Sequence, residues 1–291
     1  MKKIVCVLMT AAMVLSMLTG CGSAQENGKA EGNAQLLATT HPIYELTEKI
    51  VDGVPDLQVE ALIQDQVSCL HDYTITTDQM KKIERADAVI LSGAGLEDFM
   101  ASSLSGKNAA DIIDSSEGIV LLGEDDPHIW LDPRRYAQQG ENIAKALGER
   151  YPDYADKFQQ NMENYEQELM MRYEQEWYPA AQQLSCKELI TFHDGFSYFA
   201  DAYDLTILAA IEEEEGAEPS AAELKEICDL ARTHEIPMLF TEKNGTDHAA
   251  GIVSQETGAK LGVLDLGMGG DDGDYESMMD ANISALKAGL K

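Results

Sequence analysis

The sequence predicts an α/β protein: two lobes of parallel-sheet α/β units joined by a long rigid helix, with a cleft between them. Three observations predict it. Short apolar runs alternate with stretches of helical spacing in both halves of the chain, the pattern of parallel β-α units. Between the halves, residues 152–183 contain no glycine and repeat large side chains at Tyr154, Phe158, Met162, Tyr165, Leu169 and Tyr173. That seam describes one helix of about thirty residues, roughly 45 Å long at the usual rise. It is narrow and one-sided, which suits a bridge between lobes better than a coiled coil. Finally, the chain beyond its N-terminal leader and tether holds roughly 255 residues, enough for one large domain or two lobes of ordinary size.

Each element has its local reason. Residues 35–40 read as a strand running into His41-Pro42, and 44–51 as a helix stopped by Gly53 and Pro55. Partial alternation makes 57–63 a second strand. A helix over 77–86 has Thr77 or Asp78 as its cap. The apolar run 88–92 is a buried strand closed by Gly93; helix follows from Glu97, and 119–122 is another short strand. Asp132-Pro133 opens a helix over 134–148. Pro179 is where the bridging helix kinks or ends. In the second half, strands at 188–191, 206–210, 238–241 and 261–264 alternate with helices at 196–202, 220–232, 245–257 and 275–290. The expected organisation is a leader over 1–20, a flexible tether over 21–36, an N-terminal lobe over 37–151, the linking helix over 152–185 and a C-terminal lobe over 186–291.

The leader has Lys2 and Lys3, then an apolar stretch over 4–18 and Gly20 before Cys21. This is a secretory signal, too short to span a bilayer. Leu18-Thr19-Gly20-Cys21 matches a bacterial lipobox, so Cys21 is the expected lipidation site. The polar residues 22–33 bury too little apolar surface to fold. An exported protein, lipid-anchored to the outer face of the bacterial cell membrane, is the expectation. The formal charge is −31, and losing Lys2 and Lys3 with the leader makes it −33. Such a surface excludes nucleic acid and anionic lipid headgroups as partners and suits cations. The acidic run over 212–215, with Glu218 soon after, reads as a solvated surface or as a funnel that concentrates cations. Beyond Cys6 and Cys21 the cysteines are Cys69, Cys186 and Cys228, an odd number that argues against a disulfide framework. Their default role is that of small buried apolar residues.

Of six histidines, three lie just past a predicted strand or loop with an acid beside them: His71 in "CLHDY", His128 in "DPHIW" and His193 in "TFHDGF". Ligands gather at the carboxyl ends of strands in such sheets, and Asp265 in "VLDLG" marks a fourth such end. Three imidazoles and a carboxylate suit a borderline cation, above all Zn²⁺. His71 and His128 fall in the first lobe, His193 and Asp265 in the second, so the metal would sit in the interlobe cleft. No H-E-x-x-H motif is present. His41 is a further cleft candidate and Cys69 a thiolate candidate; His234 suits a helix C-terminus, and His248 an exposed helix start. Pro127 and Pro133 stiffen the backbone around His128. Asp126 or Asp132 could orient its far nitrogen, or Asp132 could cap the following helix.

"DPHIWLDP" resembles a signature of zinc/manganese-binding solute-binding lipoproteins of ABC transporters, the cluster A-I type. "LHDYTITTDQM", "ADAVILSGAGLEDFM", "YADKFQQNMENYEQEL", "TFHDGFSYFADAY", "EPSAAELKEI" and "DYESMMDANISALKAGL" agree in order, from about Leu37 to Leu290. The resemblance implies two α/β lobes with metal between them, His71, His128, His193 and Asp265 as ligands, an ABC permease as partner, and no enzymatic activity. At the third position the zinc branch resembles this chain in having His where manganese carriers have Glu. Two departures stand out: "QDQVSCLHDYTIT" replaces the family's usual proline-rich first-ligand loop, and no His-rich insertion precedes "DDPHIW". The expected function is Zn²⁺ capture as transported cargo by a monomer that delivers it to a permease. The alternatives are a manganese carrier of the same family, a zinc-dependent hydrolase whose bound water would need a general base, and an adhesin.

Overall fold

The computed structural model describes residues 34–64, 70, 73–123, 126–212, 219–245, 248–269 and 273–291. The leader, Cys21, Cys69, His71 and most of the acidic run lie outside the described residues. Residues 34–36, expected to end the tether, instead begin the first strand, β1 (Ala34–Ala38), whose Leu36, Leu37 and Ala38 are buried. Helix α1 (His41–Val51) opens at His41-Pro42, three residues earlier than expected, because proline fits the first turn of a helix. β2 (Leu57–Ala61) follows. α2 (Thr77–Arg85) is capped by Thr76, not by Thr77 or Asp78: Thr76 Oγ1 accepts the Gln79 N–H while Gln79 Oε1 accepts the Thr76 N–H. β3 (Ala88–Leu91) ends at Gly93, whose φ of +82° requires glycine.

Two expectations fail in this half. The helix from Glu97 is only a 3-10 turn (Asp98–Met100) and one α turn, α3 (Ala101–Leu104). The strand expected over 119–122 is irregular chain, with Val120 78% exposed; the fourth strand is β4 (Ile112–Asp114), paired with Leu91 and its neighbours in β3. An apolar run signals burial, and this one is not buried.

α4 (Pro133–Arg150) is capped by Asp132, which accepts the Arg134 N–H at 2.9 Å. The bridging rod then runs from a 3-10 turn (Pro152–Tyr154) through α5 (Ala155–Arg172) and a π turn (Tyr173–Trp177) to α6 (Tyr178–Gln182). Pro179 neither ends it nor acts alone. The Tyr178 N–H reaches back five residues to the Tyr173 carbonyl, and this widened turn absorbs a residue that cannot donate and crowds the preceding turn. Phe158, Met162, Tyr165, Leu169 and Tyr173 form the buried seam.

The second half comprises β5 (Glu188–His193), α7 (Ser197–Ala202), β6 (Thr206–Glu212), α8 (Ala221–Thr233), β7 (Met238–Glu242), α9 (His248–Thr257), β8 (Lys260–Leu264) and α10 (Tyr275–Gly289). Both sheets are parallel and share one connectivity, β2-β1-β3-β4 and β6-β5-β7-β8. The principal apolar core is continuous from Leu36 and Ile43 through Phe158 and Trp177 to Phe240 and Met279; a smaller one, around Phe192, Ile227 and Val253, lies in the second half. No helix among the described residues is long and apolar enough to cross a membrane.

The halves are tied by polar contacts, the central ones buried. Trp130, fully buried, donates its indole N–H to the Leu266 carbonyl at 2.7 Å, and Tyr275 donates its hydroxyl to the Trp130 carbonyl at 2.7 Å. Tyr136 stacks on Tyr275 at 4.0 Å. Asp132 and Asp201 share Arg134 and Arg135. Glu45 of α1 meets the start of α10. Burial, then the Glu276 and Asp274 carboxylates, push its carboxyl up from 4.5 to about 8, against the Tyr275 N–H and Lys49. A raised carboxyl favours the folded state while protonated, so its contribution is whole below the ordinary value and is lost as pH rises through about 8. Glu45→Gln mimics the protonated form. Thermal melts from about pH 5 to about pH 8.5 are expected to show the variant gaining on the wild type as pH rises; a constant difference would contradict this account.

Candidate metal centre

His128 stands at the start of a 3-10 turn (Ile129–Leu131), at the mouth of α4, and is 2% exposed. Its backbone N–H donates to Asp126 Oδ1 at 3.0 Å, and its Nδ1 lies 2.8 Å from the same oxygen. The carboxylate therefore holds the loop and the ring together, and it selects the tautomer protonated on Nδ1. Burial alone would raise the Asp126 carboxyl, but the hydrogen bonds and charge of His128, with the Ser197 hydroxyl, hold it below the usual range. Of the two acids that flank His128 in sequence, Asp126 is thus the one that orients it, and Asp132 caps α4.

His193 is the last residue of β5 and is 5% exposed. Its ring stands edge-on to that of His128, with centroids 5.3 Å apart and planes at 82°. Two imidazoles distant in sequence meet because β5 delivers one at its carboxyl end and the loop before α4 brings the other. Gly195 lies against both. A Cβ there would fall 2.7 Å from His193 Cδ2 and 3.1 Å from His128 Cε1, so the rings occupy the space a side chain would need.

Asp265 follows β8 and is also buried. Asn282 of α10 holds its backbone from both sides, accepting the Asp265 N–H and donating to its carbonyl, each at 2.8 Å. Its Oδ1 accepts the Gly267 N–H, while its Oδ2 lies 3.0 Å from Lys243 Nζ. Trp130 connects this loop to His128, since the carbonyl it holds belongs to the residue after Asp265.

The structure therefore brings His128 and His193 together and engages Asp265 with Lys243; His71 is outside the described residues. Among the described residues no group of three His, Cys, Asp or Glu is disposed to hold a metal ion. His41 begins α1, 3.7 Å from Glu45, in a small crevice with Gly267 and Asp274. His234 follows α8 and pairs with Glu188 at 3.0 Å, and His248 is the exposed first residue of α9. Cys186 and Cys228 are free thiols. Sequence reasoning missed Gly195 and Lys243. The short "HDGF" loop holds a cue to the first, since glycine two residues after a ligand candidate signals close approach; nothing local signals the second.

Comparison with known proteins gives these contacts a family. A model described as zinc-uptake complex component A, periplasmic, matches residues 36–289. The high-affinity zinc uptake system protein ZnuA of Bacillus subtilis is 27% identical over 97% of both chains. The zinc-binding lipoprotein AdcA of Streptococcus pneumoniae is 27% identical over 99% of this chain, which spans 61% of that longer relative. The crystal structure of the Zn(II)-bound ZnuA-like domain of the pneumococcal AdcA superimposes with a TM-score of 0.76 at 29% identity, covering 89% of this chain and 99% of that domain. With its two parallel sheets and a family match that takes in nearly all of the folded chain, this protein belongs to the zinc-uptake complex component A family.

Proposed function

We propose that this protein captures Zn²⁺ outside the cytoplasm and delivers it to an ABC permease, catalysing no reaction. The observation that carries this reading is the buried His128–His193 pair, with Nδ1 of His128 committed to Asp126, so that Nε2 is the nitrogen it would offer a metal. Two imidazoles so close together would supply nitrogen donors, which favour zinc over harder cations. The Bacillus subtilis zinc-uptake relative, matched over nearly its full length, supports the cargo, and the lipoprotein relative supports anchoring through Cys21. The reading completes the shell with His71 and Asp265. It also divides the chain into an N-terminal lobe over 37–151 and a C-terminal lobe over 186–291, about a linking helix over 152–185.

The test is metal content and affinity on protein purified without added metal. Wild-type protein is expected to take up one equivalent of Zn²⁺ in preference to Mn²⁺, and His71→Ala, His128→Ala and His193→Ala each to lose most of that affinity. Retention by all three variants would dismiss these ligands, and selective uptake of Mn²⁺ would replace the cargo.

Two neighbouring changes probe the supports. Asp126→Asn removes the carboxylate behind His128 and is expected to weaken zinc about 10- to 100-fold in calorimetry, with the fold retained by circular dichroism. Gly195→Val puts atoms where the two rings lie and is expected to lower affinity on the order of tenfold or more. Wild-type affinity in the valine variant would show that the rings move aside without consequence.

A further inference from the structure

The register of the second sheet brings a cation to the side of a candidate ligand. β7 and β8 run parallel with Glu242 opposite Leu264, and the Lys243 N–H donates to the Leu264 carbonyl at 2.8 Å. Lys243 and Asp265 are each one residue beyond the last paired positions, so their side chains leave the same sheet end together. They meet at 3.0 Å, with the Asp265 side chain 11% exposed and that of Lys243 36% exposed.

We infer that Lys243 is an internal counter-ion: it holds the Asp265 carboxylate in the metal-free protein and must leave that carboxylate when zinc arrives, so it lowers zinc affinity and speeds release. This rests on the transport reading above. The physical reason has two parts. A buried carboxylate without a partner is unfavourable, and Asp265 cannot swing to solvent because Asn282 holds its backbone on both sides. Lys243 supplies the missing charge in the empty site. A dication bound to the same carboxylate would then sit within a few ångströms of an ammonium, and the two repel. Lysine's flexible stem and partial exposure let it withdraw its charge to water, where a guanidinium or a fixed dipole would be less mobile. Capture is thus an exchange of one cation for another. When the ion leaves, the ammonium returns, and the empty site is not left with an unbalanced charge. Lys243 is a positioning residue in this scheme and touches no metal.

The experiment measures zinc affinity by competition with a chromophoric chelator, and release rate by stopped flow, on the full chain. Lys243→Met is expected to bind zinc more tightly, on the order of tenfold, and to release it correspondingly more slowly. Lys243→Arg, which restores the charge, is expected to return toward wild type. In an Asp265→Asn background the methionine substitution should change nothing, because the competition it removes is for that carboxylate. Lys243→Gln, neutral but still a hydrogen-bond donor, gives the same readout should the methionine variant fail to fold. Unchanged or weaker binding in both neutral variants overturns the inference. So does a gain that persists in the Asp265→Asn background, which would mean a general field effect. Wild-type protein that takes up no zinc would sink the transport reading as well, and that result is seen before any variant is made.

Discussion

A single indole fixes the geometry on which the site depends. Trp130 is completely buried, its N–H satisfied by the Leu266 carbonyl and its carbonyl by the Tyr275 hydroxyl. An unsatisfied buried polar group costs about 1–3 kcal/mol, so both bonds favour one relative placement of the segment after His128 and the segment after Asp265. His128 is two residues before the tryptophan, and Asp265 is one residue before the carbonyl it grips. Stacking of Tyr136 on Tyr275, and the Tyr136 hydroxyl donated to the Pro42 carbonyl at 2.7 Å, extend the tie to α1. The positions of His128 and Asp265 are thereby set by contacts made away from their own side chains.

The same segment shows how charge is managed in a chain of net charge −31. Asp126 is engaged by His128 and Ser197, Asp132 by Arg134 and Arg135, and Asp265 by Lys243. Each of these three acids thus has a positive or hydrogen-bonding partner, as burial demands. Glu45 is the contrasting case. It sits with Glu276 and Asp274 and accommodates them by holding its proton to a higher pH. The two places thus handle buried acid differently: Asp126 and Asp132 through their partners, and Glu45 through its proton.

Much of this was legible in the sequence. Alternating apolar and helical stretches gave both sheets, and the glycine-free seam gave the rod. His128 and His193 stood out because each follows a strand or loop beside an acid. Failures have physical causes. Residues 119–122 are apolar but exposed, and β4 is only three residues long, sustained by pairing with β3 and invisible to a periodicity argument. Thr76 was passed over as a cap although Gln79 completes its capping box three residues later. Lys243 could not be read at all, since only the β7–β8 register puts it beside Asp265. Composition and period report which face a residue shows, and register, which they do not report, decides what it meets there.

The tie through Trp130 also constrains how a bound ion could leave. Pulling the two halves apart would strip the indole, the Tyr275 hydroxyl and the Arg134–Arg135–Asp201 cluster of their partners at once. The two buried bonds oppose such a separation by about 1–3 kcal/mol each, and the exposed Asp201 pairs add less. Movement confined to loops and side chains meets no such barrier. The two sides of the site differ in this respect. Around His128 the backbone is braced by Pro127 and Pro133 and by the Asp126 carboxylate. Lys243, by contrast, reaches Asp265 on a flexible stem. In the proposed reading, a preorganised pair of imidazoles leaves little ordering to be done when the ion arrives. Release, in the same reading, draws on the Lys243 side chain, which can rearrange while the tryptophan stays where it is.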